Sequence, residues 1–113
     1  MDAREKTKQR MAARKAISDF FSQKRKALGV KSLFDFSLEN VTKRKFMVEM
    51  NAIGRDAELA AMALSDKGKD WQPVFENAKK KFEELKDRTV KGLMPGEAIG
   101  KPLEAIASII RSL

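Results

Sequence analysis

Charged side chains provide most of the chemistry available to this chain. The 113-residue sequence contains no histidine, cysteine or tyrosine. This excludes the usual zinc ligand sets and the Ser-His and Cys-His pairs of nucleophilic catalysis. Neighbouring carboxylates such as Glu83 and Glu84 lie in a stretch rich in opposite charges, which is typical of a solvated helix surface rather than an acid–base site. We therefore expect a protein that is not an enzyme and that binds no metal and no cofactor.

The positive charge is concentrated near the amino-terminal end of the chain. The net charge is +8, and residues 1–28 contribute +6 of it, with nine Lys/Arg against three Asp/Glu. Residues 29–56 and 57–91 add only +1 each. A charge gathered on one element attracts anionic partners, whereas a dispersed charge mainly keeps a protein soluble. The sequence thus favours recognition of an anionic partner.

Helical spacing gathers several of these cations on one side of a first helix. The predicted binding residues are Arg4, Lys8, Arg14, Lys15, Arg25 and Lys26. On a wheel of 3.6 residues per turn, four of them fall within about 40° of one another, and the two arginines at 14 and 25 lie alongside. Spaced cations on a rigid helix suit a nucleic-acid backbone. One tryptophan and no tyrosine leave few platforms for base stacking, so we expect weak sequence specificity.

Other interpretations of the basic helix stay open at this point. Three alternatives to nucleic-acid binding remain: a solvated face with no partner, a docking site for an acidic protein surface, and a contact for an anionic membrane. A protein partner would make the chain an adaptor, inhibitor or regulatory subunit, docking through helix 1, the Leu33–Phe36 segment or the C-terminal helix. Within that segment, Leu33, Phe34 and Phe36 either plug one end of the fold or form an exposed partner contact.

Apolar residues at steps of three and four predict an all-α fold, a small single-domain bundle of four helices. The predicted helices span 3–28, 38–65, 71–91 and 102–113. The domain itself is predicted at 11–113, with residues 1–10 as a basic N-terminal extension that has almost nothing to bury. No apolar run approaches the roughly 18–20 residues that span a bilayer, and no signal-peptide pattern is present, although a transit peptide stays a weaker alternative. Together with the absence of cysteine, this favours a cytoplasmic location.

The second helix is predicted to be long and central because it is apolar on two faces. One stripe includes Phe46 and Met50, and the second consists of Val41, Val48, Ala52, Leu59 and Ala63. The first stripe keeps its phase through Gly54, which predicts one continuous helix. The alternative is a break at Gly54, with Asp56 as a new N-cap.

The predicted core draws on all four helices, with Phe21 placed at its edge. It consists of Ile17, Phe20, Phe46, Met50, Ile53, Leu64, Phe75, Phe82, Leu85, Ile106 and Ile110. The narrow aromatic stripe of the third helix and the very apolar fourth helix also leave a homodimer open, because sequence alone does not separate burial within one chain from burial between two.

Overall fold

The computed structural model describes residues 2–93 and 101–113. In these residues the chain forms four helices and no strand: α1 (Ala3–Leu28), α2 (Leu38–Asp66), α3 (Gln72–Leu93) and α4 (Lys101–Arg111). The predicted all-α bundle is confirmed, and each helix boundary agrees with the prediction to within two residues. No helix of the described ranges combines the length and the apolar composition needed to cross a bilayer. The Pro and Gly residues of 93–101 predict a connector with turns, and residues 94–100 of it lie outside the described residues.

Local signals explain where the first two helices begin and where α1 ends. The Asp2 carboxylate accepts the N–H of Glu5 at 2.8 Å, and the Ser37 hydroxyl accepts the N–H of Asn40 at 3.2 Å. Both are N-caps of the kind that short polar side chains form. Gly29 ends α1 with φ 70° and ψ 46°, a left-handed conformation that favours glycine. Residues 3–10, predicted as an extension, are the first turns of α1 and continue directly into its amphipathic part.

α2 is the central helix, since it packs against each of the other three. It runs unbroken through Gly54, so the prediction of one long helix is confirmed, and the alternative break with a cap at Asp56 is wrong. The glycine serves the packing of α1, because a Cβ built at Gly54 would lie only 3.1 Å from the Phe21 ring. The missing side chain lets α1 and α2 approach closely at this crossing.

An aromatic cluster forms the centre of the core. Phe82 is completely buried, and its ring meets those of Phe20, Phe21 and Phe46 edge to face, at centroid distances of 5.7, 6.0 and 6.1 Å. Phe21, predicted at the edge of the core, is only 2% exposed, whereas Phe20, predicted inside it, is half-buried. The close crossing at Gly54 is the physical reason, because it draws Phe21 into the α1–α2 interface.

The remaining predicted core residues divide into two groups. Ile17, Phe46, Met50, Leu85, Ile106 and Ile110 are buried, and Ile53, Leu64 and Phe75 are half-buried. The apolar face of α4 is covered by the chain itself: Leu113 is buried, Ile109 is half-buried, and the Lys24 ammonium donates to the backbone oxygen of Leu113. The apolar stripes of α3 and α4, which left a homodimer open, are therefore largely buried within one chain. The alternative of docking through the C-terminal helix required an uncovered apolar face, and α4 does not present one.

The second apolar stripe of α2 is exposed. Val41, Val48 and Leu59 are 45%, 66% and 60% exposed, and Ala52 and Ala63 are exposed as well. All buried residues of α2 fall within about 120° of its circumference, on the side of the first stripe. The prediction that α2 is sandwiched on both faces is therefore wrong, since its neighbours share one side and leave the opposite ridge to solvent.

Candidate functional site

The side of α1 that points away from the core carries most of the predicted binding residues. We call it the outer face; it consists of Arg4, Lys8, Met11, Lys15, Asp19, Ser22 and Lys26. The opposite side of the helix holds the buried residues Ala13, Ile17, Phe21 and Leu28. At a rise of 1.5 Å per residue, the outer face extends about 33 Å from its first to its last cation. The apolar side thus fixes the helix, and the outer face stays free.

The outer face keeps a positive charge in the folded chain. Arg4, Lys8 and Lys26 are exposed, and none of them forms an ion pair with any described residue. Lys15 is also exposed, and its ammonium donates to the Asp19 carboxylate at 2.9 Å. An exposed pair of this kind contributes only tenths of a kcal/mol, so an incoming anion can compete for Lys15. Four cations and one carboxylate leave the outer face with a net charge of +3.

The two remaining predicted cations lie on the flank of α1 rather than on its outer face. Arg14 is exposed and has no ion pair among the described residues. Arg25 is half-buried, and its Nη1 donates to Oδ1 of Asn51 in α2 at 3.0 Å. The structure therefore exposes five of the six predicted cations along one helix and turns the sixth toward the seam between α1 and α2.

The arrangement of the outer face suits attraction of anionic groups. Its cations follow one another along the helix axis at about 6, 10 and 16 Å. Spaced cations on one rigid helix create a local positive potential that attracts anionic groups. Within the described ranges, no group of three Asp or Glu side chains is placed to hold a metal ion.

The loop that joins α1 to α2 forms a second, apolar surface. We call residues 29–37 the aromatic loop. Leu33, Phe34 and Phe36 are 67%, 85% and 76% exposed. The interpretation in which these side chains plug one end of the bundle is therefore wrong. The apolar surface continues into the first turn of α2 through Leu38, which is 56% exposed.

Hydrogen bonds hold the aromatic loop in one conformation from its inner side. Asn40 is only 2% exposed, and its Oδ1 accepts the N–H of Lys31 at 2.7 Å. The Asn40 amide Nδ2 donates to the carbonyls of Ser32 and Asp35 at 3.1 and 2.8 Å. The Asp35 carboxylate accepts the N–H of Ser37 at 2.9 Å, which holds the pKa of Asp35 below its ordinary value. A polar network inside the loop thus leaves its apolar side chains outside.

Charged residues at the start of α2 lie next to the same loop, and one of them bonds to it. The Arg44 guanidinium donates to the Leu33 carbonyl at 3.4 Å. Lys43 is buried beneath the loop, and its ammonium lies 2.8 Å from the Glu39 carboxylate, so this hydrogen bond lowers the pKa of Glu39. Side chains of two α2 residues, Asn40 and Arg44, thus make four hydrogen bonds to the loop.

Sequence reasoning missed two asparagines that position these surfaces. Ser37 and Asn40 are both of a residue type that caps helices, and Ser37 takes that role for α2. The sequence pattern gives Asn40 no other role and gives Asn51 none. An amide next to buried positions is the available signal, because a buried amide needs partners. The partners themselves emerge only when α1, the loop and α2 come together.

The outer face and the aromatic loop are thus two exposed surfaces of opposite character, one cationic and one apolar, carried by consecutive elements. No protein-family model, no curated protein and no solved structure matches this chain.

Proposed function

We propose that this protein is a non-enzymatic nucleic-acid-binding protein whose outer face contacts the phosphate backbone. One observation carries the proposal: Arg4, Lys8 and Lys26 point away from the core with no acidic partner among the described residues. Cations that are not neutralised within the fold keep their field for a partner, over a range of about 8 Å at physiological ionic strength. The exposed Arg14 beside them adds to this field.

Phosphates are the part of a nucleic acid that this surface fits. Its length of about 33 Å corresponds to roughly ten base pairs of duplex, at 3.4 Å per pair on one strand. No aromatic side chain lies on the outer face, so stacking on bases adds nothing there. We expect similar affinity for unrelated base sequences. The cytoplasmic location that the sequence favours would give the protein access to RNA and, in a cell without a nucleus, to DNA.

The test compares two variants that lose the same amount of charge from different surfaces. In the first, Arg4, Lys8, Arg14 and Lys26 are replaced by Gln. In the matched control, four exposed cations elsewhere are replaced by Gln: Lys67, Lys69, Lys80 and Lys81. Each variant has a net charge of +4, four less than the parent chain. The assay is fluorescence anisotropy with labelled duplex DNA, single-stranded DNA and RNA of about 20 nucleotides or base pairs, across about 50 to 200 mM salt.

For the parent chain, the logarithm of the affinity should fall linearly with the logarithm of salt. The first variant should flatten that slope for duplex DNA by up to about 3.6, since each lost phosphate contact removes about 0.9. The control should keep most of the slope, and both variants should melt within a few degrees of the parent. The proposal fails when no probe binds at the lowest salt, or when the two variants lose the same slope.

A second candidate function rests on the aromatic loop, namely docking onto an acidic protein surface as an adaptor or regulatory subunit. Phe34 and Phe36 are 85% and 76% exposed on a loop that Asn40 holds from within. Aromatic anchors on an ordered segment lose little conformational entropy on binding, which favours their use as interface hot spots. Two exposed cations, Lys31 within the loop and Lys26 shortly before it in the sequence, would complement acidic groups around the partner's pocket.

Site-specific photocrosslinking in native cells tests this second function. A benzophenone amino acid at position 34 should yield one nuclease-resistant protein adduct, and the same group at the exposed position 23 should not. Replacing Phe36 by Ala in the position-34 chain should strongly reduce the adduct, because it removes the adjacent anchor. Equal crosslinking from positions 23 and 34 would exclude the loop as a specific docking surface.

A further inference from the structure

A groove of about 290 Å³ lies along the seam between α1 and α2, beside the outer face. Its floor is apolar, with contributions from Ile17, Phe21 and Gly54. Its rim is polar and includes Arg25 from α1 and Arg55 from α2. Arginine side chains from two different helices therefore line one open groove. Two cations at one concave site reinforce each other's attraction for an anion.

The two arginines are prepared for a ligand in different ways. Asn51 holds the Arg25 guanidinium through a hydrogen bond of 3.0 Å, which fixes this half-buried side chain at the rim. Arg55 is exposed and forms no ion pair with any described residue. One arginine is thus positioned and the other is free to close on a ligand. Arginine suits this task, because its planar group donates two parallel hydrogen bonds to a phosphate.

The groove also adjoins the cationic surface described above. Arg14 and Arg25 lie within about 20° of each other on the helical wheel, on the flank of α1 that borders α2. Around the circumference of α1, this flank lies between the outer face and the seam with α2. A polyanion that lies along the outer face is therefore close to the groove. The spacing between Arg14 and Arg25 along the axis is about 16 Å, which leaves room for several phosphates of one strand between them.

We propose that the α1–α2 groove seats a phosphate group of the bound nucleic acid between Arg25 and Arg55. This inference rests on the proposed function, and it adds Arg55, a residue that the sequence pattern does not single out. Glu58 also lines the groove, so its carboxylate opposes the incoming phosphate and weakens the site. The inference therefore predicts opposite effects for neighbouring residues of α2.

The experiment measures affinity and salt slope for a duplex of about 20 base pairs with three single variants. Arg55→Gln should weaken binding about tenfold and reduce the salt slope by about 1, as expected for loss of one phosphate contact. Glu58→Gln should tighten binding by a few fold, because it removes repulsion. The control Arg88→Gln, an exposed arginine of α3, should leave affinity within about twofold of the parent. All three substitutions are at partly or fully exposed positions, and unchanged melting temperatures would confirm that they fold.

The outcomes separate this inference from the proposed function. Duplex binding by the parent chain with unchanged affinity for Arg55→Gln and Glu58→Gln overturns the phosphate seat and leaves the outer face intact. Absence of duplex binding by the parent overturns both. A parallel titration with inorganic phosphate, followed by NMR, identifies the source of the phosphate. Tight saturation by inorganic phosphate that depends on Arg55, without duplex binding, would make the groove a free-phosphate site and would also overturn the inference as stated.

Discussion

The buried amide of Asn40 should determine both the order of the aromatic loop and a large part of the stability of the α1–α2 connection. Its side chain makes three hydrogen bonds to the loop backbone, one accepted and two donated. A net contribution of about 1 kcal/mol per bond, together with the penalty for partners left unpaired, gives a loss of about 2–4 kcal/mol for Asn40→Ala. For a chain of this size, that lowers the melting temperature by roughly 8–16 °C.

Asn40→Asp gives a second, nearly isosteric arm of the same prediction. It keeps an acceptor for the N–H of Lys31 but places a carboxylate against the carbonyls of Ser32 and Asp35, which now lack a donor. We expect a loss at least as large as for Asn40→Ala at neutral pH. The matched control is Asn77→Ala, at an exposed position of α3, which should change the free energy of unfolding by less than about 0.5 kcal/mol.

Two measurements check the prediction independently. Thermal and urea denaturation give the change in stability, and limited chymotrypsin digestion reports on the loop, because this protease cleaves after aromatic residues. In the parent chain, the ordered loop should resist cleavage at Phe34 and Phe36 despite their exposure, since proteolysis requires local opening. Asn40→Ala should accelerate that cleavage far more than it accelerates cleavage elsewhere. Equal stability and equal cleavage for the position-40 and position-77 variants would refute the reasoning.

Three further predictions concern the core, the helix crossing and pH. Phe82→Ala should destabilise the fold by about 3–5 kcal/mol, because the ring is fully buried; a melting temperature within a degree or two of the parent would contradict the core assignment. Gly54→Ala should destabilise by about 1 kcal/mol in urea denaturation, since crowding against the buried Phe21 outweighs the gain in helix propensity; Phe21→Leu in the same chain should recover part of the loss. The lowered pKa of Asp35 means that its bond to Ser37 stabilises the fold at neutral pH and that this stabilisation is lost as the pH falls through about 4 and below. Asp35→Asn should therefore have a lower free energy of unfolding than the parent at pH 7, and the difference should shrink at pH 3.

Helix periodicity predicted most of the fold, because the spacing of apolar residues that marks a helix is a local property of the sequence. The stripe through Phe46 and Met50 predicted a continuous α2, and the structure shows the helix unbroken through Gly54. The same reasoning misplaced Phe20 and Phe21, which are adjacent in sequence and differ by 100° on the wheel. Their relative burial depends on where α2 crosses α1. Gly54, which lies 33 residues after Phe21, sets the position of that crossing. Such a contact has no signature in the local pattern of α1.

The exposed ridge of α2 shows the complementary failure. Val41, Val48 and Leu59 repeat at helical spacing, and that spacing is typical of a buried face. Nothing in the pattern states how many neighbours a helix has or which side they occupy. Burial in this chain follows from three other helices that pack on one side of α2, which is a property of the assembled fold. The exposure of the aromatic loop also depends on the assembled fold. Its apolar side chains are candidates for the core in the sequence, but in the structure Asn40 occupies the inner side of the loop.

The residues proposed to bind a partner differ from the residues that stabilise the fold. Each kind of variant can therefore be measured in the assay designed for the other. The outer face of α1 contributes no buried side chain, so removing its cations should leave stability and the chymotrypsin resistance of the aromatic loop unchanged. Asn40→Ala disturbs the loop but leaves α1's buried residues Ile17 and Phe21 in place, so it should preserve the salt slope of polynucleotide binding. A charge variant that loosens the loop, or a loop variant that flattens the salt slope, would show that the two surfaces act as one. Independent responses would mean that the charge of the outer face and the order of the aromatic loop depend on different interactions, Coulombic attraction on α1 and hydrogen bonds to Asn40 at the loop.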